Sequence, residues 1–223
     1  WRRIFQERRV RWFHTGGIFT ALSDSCAEVA FEAMKAAHES GTVVSYDLNF
    51  RSKLWSSATA IEVTKRLVPF IDVLIGNEED FQKVLGFEVE GTDERLTSLP
   101  VEGYKNMVRK VVRTYPHLQV VGTTLREVVS GLVNNWSAIM YYDGEFYESR
   151  RYERLEIEDR VGGGDGFCSG LIYGFLHGMN PQQCVELGAA HGALLQSTRG
   201  DTSMVTLEEV LDVMKGATAR IKR

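Results

Sequence analysis

The sequence is short of everything that would staple the fold or give it a one-sided charge. It has three cysteines, Cys26, Cys168 and Cys184, in 223 residues. The number is odd, the spacing is wide and no C-x-x-C occurs, so neither a disulfide framework nor a zinc knuckle is supported. A cytoplasmic, reducing compartment fits this usage. Charge of one sign is also lacking. Lys and Arg number 26 against 30 Asp and Glu, a net charge of -4. That excludes a nucleic-acid binder relying on a strongly basic field. No apolar run approaches the ~20 residues of a membrane span. No Gly-Lys pair exists, so there is no P-loop, and neither H-E-x-x-H nor G-x-S-x-G is present. A dinucleotide fingerprint starting at Gly162 fails because Phe167 stands where the third glycine belongs. His14, His38, His117, His177 and His191 show no metal-ligand spacing. The first residues, Trp1-Arg2-Arg3-Ile4-Phe5, lack both an initiator Met and an apolar signal region. They are expected to form an exposed amphipathic segment of a chain that begins inside a longer protein.

What is present reads as one soluble α/β domain over 1–223. Hydrophobic residues make up 43%, which at this length can bury a core without staples. Val10 to Phe13 predicts a strand running into a turn at His14 to Gly17. Ser23 is placed to cap a helix carrying Ala27, Ala30, Phe31, Met34 and Ala37, stopped by Ser40-Gly41. Thr42 to Tyr46 predicts a buried strand opening into Asp47-Leu48-Asn49-Phe50-Arg51. A helix from Ser56 or Ser57 to Leu67 and a strand over Ile71 to Ile75 follow, then a helix over Glu78 to Leu85 closed by Gly86. Residues 87–102 are irregular, Tyr104 to Tyr115 is helical and Leu118 to Val121 is a strand. Strands are expected over Glu127 to Val133, Ser137 to Tyr142 and Phe146 to Ile157, with Asp143-Gly144 as a hairpin turn. Helices over Gly166 to Leu176, Pro181 to Leu195 and from Thr206 to Met214 complete the chain. This alternation predicts a mostly parallel sheet with helices on both faces and an antiparallel edge.

The strongest local feature is Gly162-Gly163-Gly164-Asp165, just before a helical pattern in which Phe167, Leu171 and Phe175 share a face. Glycines at a helix start leave N–H groups exposed, and the helix dipole adds positive potential. That makes an anion cradle with a carboxylate at its lip. The pairing makes chemical sense if Asp165 takes a proton from a hydroxyl that attacks a phosphoryl group held by those N–H groups. Ser169, Gly170 and Gly174 are small enough for another backbone to approach this helix closely.

Gly163-Gly164-Asp165 with Ser169-Gly170-Leu171 resembles the C-terminal signature of the PfkB (ribokinase-like) carbohydrate kinases. The resemblance implies that fold and transfer of a phosphoryl group from ATP, with Mg²⁺, to a sugar hydroxyl. It assigns the base to Asp165 and the anion hole to Gly162, Gly163 and Gly164. Further matches run over nearly the whole chain. Asp47-Leu48-Asn49-Phe50-Arg51 is similar to the D-x-N-x-R loop. Asn77-Glu78-Glu79-Asp80 is similar to the N-x-x-E motif, which implies that Asn77 and either Glu79 or Asp80 lie near Mg²⁺ through water. Thr124 and Arg126 fall where a strand end faces the nucleotide, and Asn49 is carried over to the same side. The stretches Trp12-Phe13-His14, Leu125-Arg126-Glu127, Asp159 to Gly162 and Gly200 to Ser203 look most like 2-keto-3-deoxygluconate kinases. That likeness implies the 6-hydroxyl of 2-dehydro-3-deoxy-D-gluconate as acceptor, with Asp201 on the sugar. An upstream Gly-Gly segment and a β lid, which the family pattern carries and links to homo-oligomers, are not seen in these residues.

Asp47, Asn49 and Arg51 follow a strand. If the chain stays extended, period two puts their side chains on one side. Arg51 then points into the crevice beyond the strand ends. A guanidinium there can grip a carboxylate bidentately, which favours an acid sugar over ribose or fructose. Asp47 and Asp201 join Arg51 as substrate candidates. His14 and His191 are weighed as pocket-lining residues against structural roles, and Cys168 as a buried hydrophobe. Alternatives are a fructokinase- or ribokinase-type enzyme, or a non-catalytic sugar or nucleotide sensor on the same fold.

Overall fold

The computed structural model describes residues 1–89, 101–159, 161–200 and 202–216. It divides into two compact units, one of Trp1–Glu90 with Glu102–Gly122 and one of Gly91–Val101 with Thr123–Arg223.

In the first unit, β1 (Trp12–Gly16), β2 (Val43–Asp47) and β3 (Val73–Gly76) form parallel pairs. The register runs from Trp12 opposite Val43 to Gly16 opposite Asp47, and Asp47 lies opposite Ile75. Every residue of β3 is buried, as an inner strand of a parallel sheet demands. The start of β4 (Val120–Ser130) follows β3 in the strand order. The helices are α1 (Gly17–Ala21), α2 (Asp24–Glu39), α3 (Ser57–Leu67), the single turn α4 (Glu78–Asp80) and α5 (Val101–Thr114). Ser23 caps α2 by accepting from Cys26 N at 3.2 Å, a bond worth about 1 kcal/mol. Helical spacing then buries Ala27, Ala30, Ala33, Met34 and Ala37, and Gly41 ends the helix region at φ +72°. Parallel pairing brings the segments after β1, β2 and β3 to one end of this sheet: Gly16-Gly17, Asp47 to Arg51, and Asn77 to Asp80.

In the second unit, β4 is followed by β5 (Val133–Tyr142), β6 (Glu145–Glu148) and β7 (Tyr152–Glu156), with β6 and β7 both antiparallel to β5. Asp143 and Gly144 both have positive φ, 50° and 87°, and make the expected hairpin turn. The helices are α6 (Gly163–Leu176), α7 (Pro181–Gln196) and α8 (Leu207–Lys215). Asn180 and Thr206 close capping boxes with Gln183 and Glu209. Helix α6 lies against α7 on a seam of glycines. A Cβ on Gly170 would stand 2.7 Å from Leu187 O, one on Gly188 2.8 Å from Phe167 O, and one on Gly192 2.7 Å from Gly163 O. Trp136 Nε1 ties β5 to α7 by donating to Ala189 O at 3.0 Å.

Several expectations change: β5 starts at Val133 and not at Ser137, and the helix expected over Glu78 to Leu85 is the turn α4 followed by a π-helical turn, Phe81–Leu85. His14 to Gly16 belong to β1 itself. The two strands expected at Leu118 to Val121 and Glu127 to Val133 are one, β4. Gly122 and two polar threonines lie between them, yet threonine is β-branched and Thr123 is fully buried inside the strand. The run from Phe146 to Ile157 divides into β6 and β7. Ser149 to Arg151 lie between them, and within β7 Tyr152 pairs with Trp136 and Leu155 with Asn134, so three residue steps oppose two, a bulge at Glu153 and Arg154, the latter at φ +50°. Helix α6 begins at Gly163, three residues earlier than expected, because packing against α7 outweighs glycine's poor helix propensity.

Candidate active site

On the first unit, β2 ends at Asp47, which is buried, and Leu48 N still donates to Ile75 O at 2.8 Å. The chain then turns. Asn49 sits at φ +34°, so the extended run needed to align Asp47, Asn49 and Arg51 stops there. Asparagine tolerates that region better than most residues. The turn is pressed from the β1–α1 corner. A Cβ on Gly17 would lie 2.0 Å from Leu48 O and 3.4 Å from Asn49 O. Arg51 is exposed and its Nη1 donates to Phe50 O at 2.9 Å. Its orientation therefore follows from the turn and not from strand alternation.

Asp80 holds this loop from the other side. Its carboxylate is only 4% exposed and accepts from Phe50 N at 2.7 Å and from Asn77 N at 2.9 Å. Asn77 Oδ1 accepts from Asp80 N at 3.0 Å, completing a capping box at the start of α4. Burial pushes the Asp80 carboxyl up to about 6, against the opposing pull of the two backbone donors and Arg51. Phe50 and Asp80 are thirty residues apart, and no local pattern announces their bond. Glu79 is exposed and Glu78 half-buried. Among the described residues no group of three or more His, Cys, Asp or Glu is arranged to hold a metal ion. A donor set of one exposed carboxylate beside an amide fits Mg²⁺ that keeps its waters and is held mainly by phosphates. It does not fit a protein-built cage.

On the second unit, Gly162 is the N-cap of α6 at φ +88°, with no side-chain cap, and its carbonyl accepts from Gly166 N at 2.7 Å. The N–H groups of Gly163, Gly164 and Asp165 occupy the first turn, where helix geometry supplies no partner. Gly163 is required by packing, since a Cβ there would stand 2.9 Å from Gln196 Cγ. Gly164 has nothing within 4 Å, so open space lies over it. Asp165 is exposed, beside that open space in the same turn. Behind it, Asp159 accepts from Val161 N at 3.1 Å and Gly200 N at 3.3 Å, tying the segment after α7 to the glycine run.

Thr124 and Arg126 are half-buried in the middle of β4, not at a strand end. Asp201 lies outside the described residues. His14 Nδ1 contacts Ser45 Oγ at 2.8 Å across β1 and β2. Cys168 is buried. Sequence reasoning missed the part played by Gly17. The Gly16-Gly17 pair at a strand end was the available signal, but it read only as a turn.

The pfkB family carbohydrate kinase model matches residues 8–116 and 136–207. The chain belongs to this family. A 2-dehydro-3-deoxygalactonokinase of Haloferax volcanii is 31% identical over 211 residues, covering 95% of this chain and 59% of that protein. A 2-dehydro-3-deoxygluconokinase of Thermoproteus tenax is 26% identical, covering 84% of this chain and 50% of that protein. The crystal structure of 2-dehydro-3-deoxygluconokinase from Thermotoga maritima superposes with a TM-score of 0.84 at 40% identity, over 92% of this chain and 61% of that one. The chain thus spans about half to three-fifths of these relatives' length. The chain has the ribokinase-like α/β fold with a mostly parallel sheet. No helix among the described residues is long and apolar enough to cross a membrane.

Proposed function

We propose that this pfkB-family protein is a cytoplasmic sugar-acid kinase that transfers the γ-phosphoryl group of ATP to the 6-hydroxyl of 2-dehydro-3-deoxy-D-gluconate. The observation that carries the reading is Asp165: an exposed carboxylate in the first turn of α6, next to unpartnered helix N–H groups and the open space over Gly164. Asp165 takes the hydroxyl proton as the sugar oxygen bonds to the γ-phosphorus. The bond from that phosphorus to the β–γ bridging oxygen breaks, and ADP leaves. The N–H groups of the Gly162 to Gly164 run stabilise the charge on the transferring group, aided by the helix dipole. Asn77 and Glu79 would hold Mg²⁺ through water, with Asp80 placing Asn77 through their capping box, and the ion would neutralise charge on the phosphate oxygens.

Arg51 is the candidate grip on the acceptor's carboxylate, with Asp47 and Asp201 as further sugar-binding residues. Asn49, Thr124 and Arg126 are the candidates on the nucleotide side. The acceptor class follows the two gluconokinase relatives, and the higher identity is to the Thermotoga enzyme. The Haloferax relative's name favours a second reading, the C4 epimer, 2-dehydro-3-deoxy-D-galactonate.

The test is turnover of ATP against a panel of both epimers, fructose and ribose, with wild-type protein and Asp165→Asn. The expected result is preference for a 2-keto-3-deoxy acid, and a loss of about 10²–10⁴-fold in kcat for the variant with nucleotide binding retained. A variant that turns over at the wild-type rate removes Asp165 as the base. Binding of nucleotide with none of the acceptors phosphorylated returns the protein to the sensor reading.

A further inference from the structure

The kinase reading leaves one polar chain in the second unit unused. Ser169 lies one turn beyond Asp165 on the exposed side of α6. Its Oγ donates to Gly166 O at 3.0 Å and contacts Nδ1 of His191 at 2.9 Å. The other ring nitrogen, Nε2, contacts Ser203 Oγ at 2.7 Å. Since the Ser169 hydrogen goes to Gly166 O, its oxygen must accept, so the network assigns the proton to Nδ1. Nε2 then accepts from the Ser203 hydroxyl. Burial lowers the pKa of this half-buried imidazole, against the opposing pull of a hydrogen bond to the Gly166 backbone.

The first turn of α6 needs outside support. Of its first four residues three are glycines, each about 1 kcal/mol poorer than alanine in a helix. Its N-cap is also a glycine and supplies no side-chain bond. A helix end of that composition frays when nothing holds it. The backbone of α7 meets the turn at His191 and Gly192, where a Cβ on Gly166 would stand 3.1 to 3.2 Å from Gly192 Cα, Gly192 N and His191 C. The Ser203–His191–Ser169 chain therefore ends on the carbonyl of Gly166, the residue next to Asp165.

We propose that His191 is a positioning residue that braces the first turn of α6 at the Gly166 backbone, both directly and through Ser169, and so fixes the direction of the Asp165 carboxylate. This rests on the kinase reading for its catalytic consequence, but the brace itself does not. The half of the ring that matters is Nδ1–H, because that side leads to Asp165. Asparagine can present an amide N–H near the Nδ1 position, whereas glutamine reaches toward the Nε2 position.

The experiment compares wild type, His191→Ala, His191→Asn, His191→Gln and Ser169→Ala in steady-state kinetics with ATP and the sugar acid, and in amide hydrogen exchange. His191→Ala and Ser169→Ala are expected to lower kcat by about ten- to a hundredfold, with KM for either substrate changed by less than about twofold. His191→Asn restores most of kcat and His191→Gln does not. Exchange at Gly166 and Phe167, the first bonded amides of the helix, quickens in both alanine variants and is unchanged in the rest of α6. Ser169→Ala removes only an exposed hydroxyl, so it reports even if His191→Ala does not fold. Wild-type kcat in the alanine variants, equal rescue by Asn and Gln, or a loss confined to KM overturns the positioning role. If no acceptor is turned over by wild type, the kinase reading fails, while the exchange data still decide the brace.

Discussion

The closest approach in the first unit sets up the sharpest prediction. Gly17→Ala adds one methyl group, and its carbon would fall 2.0 Å from Leu48 O and 3.0 Å from Leu48 C. An ordinary contact for that pair is about 3.4 Å or more, so the loop or the β1–α1 corner must retreat by roughly 1.4 Å. Neither neighbour is a flexible side-chain end that can swing aside. Leu48 N is bonded to Ile75 O, and Phe50 N to buried Asp80. Retreat stretches both bonds, each worth about 0.5–3 kcal/mol, on top of overpacking of about 1–3 kcal/mol. A total destabilisation of about 3 kcal/mol is therefore expected, read as a lower urea midpoint with an unchanged slope. The catalytic effect is separate. Shifting Asn49 and Arg51 by ~1 Å is expected to reduce kcat/KM for the sugar acid by about a hundredfold. Both are measured on one preparation, by urea unfolding and by initial rates at temperatures where the variant is folded. A variant with wild-type midpoint and wild-type kcat/KM would refute the claim that this corner sets the loop.

Further outcomes follow from the same geometry. Gly164→Ala meets nothing within 4 Å and replaces a poor helix former, so it is expected to raise stability by up to ~1 kcal/mol while lowering kcat, because the methyl enters the space over the anion site. Equal kcat in that variant would detach Gly164 from phosphoryl binding. Arg51→Ala is expected to raise KM for a keto-deoxy acid by about tenfold or more and to leave KM for ATP within about twofold; unchanged kinetics reject the carboxylate grip. Asp80 makes stability depend on pH. Its carboxyl is raised to about 6 in the native state, so between the unfolded value near 4 and 6 the native state holds the extra proton. Stability from this group therefore falls as pH rises through that window. In metal-free buffer the wild type is expected to lose about 2 kcal/mol between pH 4.5 and 7.5 relative to Asp80→Asn, by urea unfolding at each pH. A flat difference between the two would contradict the buried carboxylate.

Local chemistry made much of this molecule readable in advance. Ser23 and Thr206 mark helix starts because a side-chain oxygen two or three residues before an orphan N–H is a purely local solution. Asp143-Gly144 marks a hairpin for the same reason, since its conformation is set by those two residues. The Gly163-Gly164-Asp165 signature is contiguous, so Asp165 could be singled out before any fold was known. What the residues did not disclose depends on distant partners. The left-handed Asn49 follows from Gly17 thirty-two residues upstream, and the fixed place of Phe50 from Asp80 thirty residues downstream. The continuity of β4 through Gly122 and the bulge at Glu153 and Arg154 are properties of the ladders around them. The early start of α6 likewise belongs to α7, which holds three glycines helical where propensity alone would release them.

The glycine seam between α6 and α7 bears on any attempt to toughen this protein. A common recipe for heat resistance exchanges helical glycine for alanine, and Gly164 suits it as far as folding goes. Gly170, Gly188 and Gly192 reverse the sign, because each missing methyl is already occupied by the neighbour's main chain. Two cylinders keyed to each other at hydrogen-atom clearance cannot slip lengthwise without a collision. Redesign of this pair must therefore treat both helices as a single part and seek its gains on their outer surfaces.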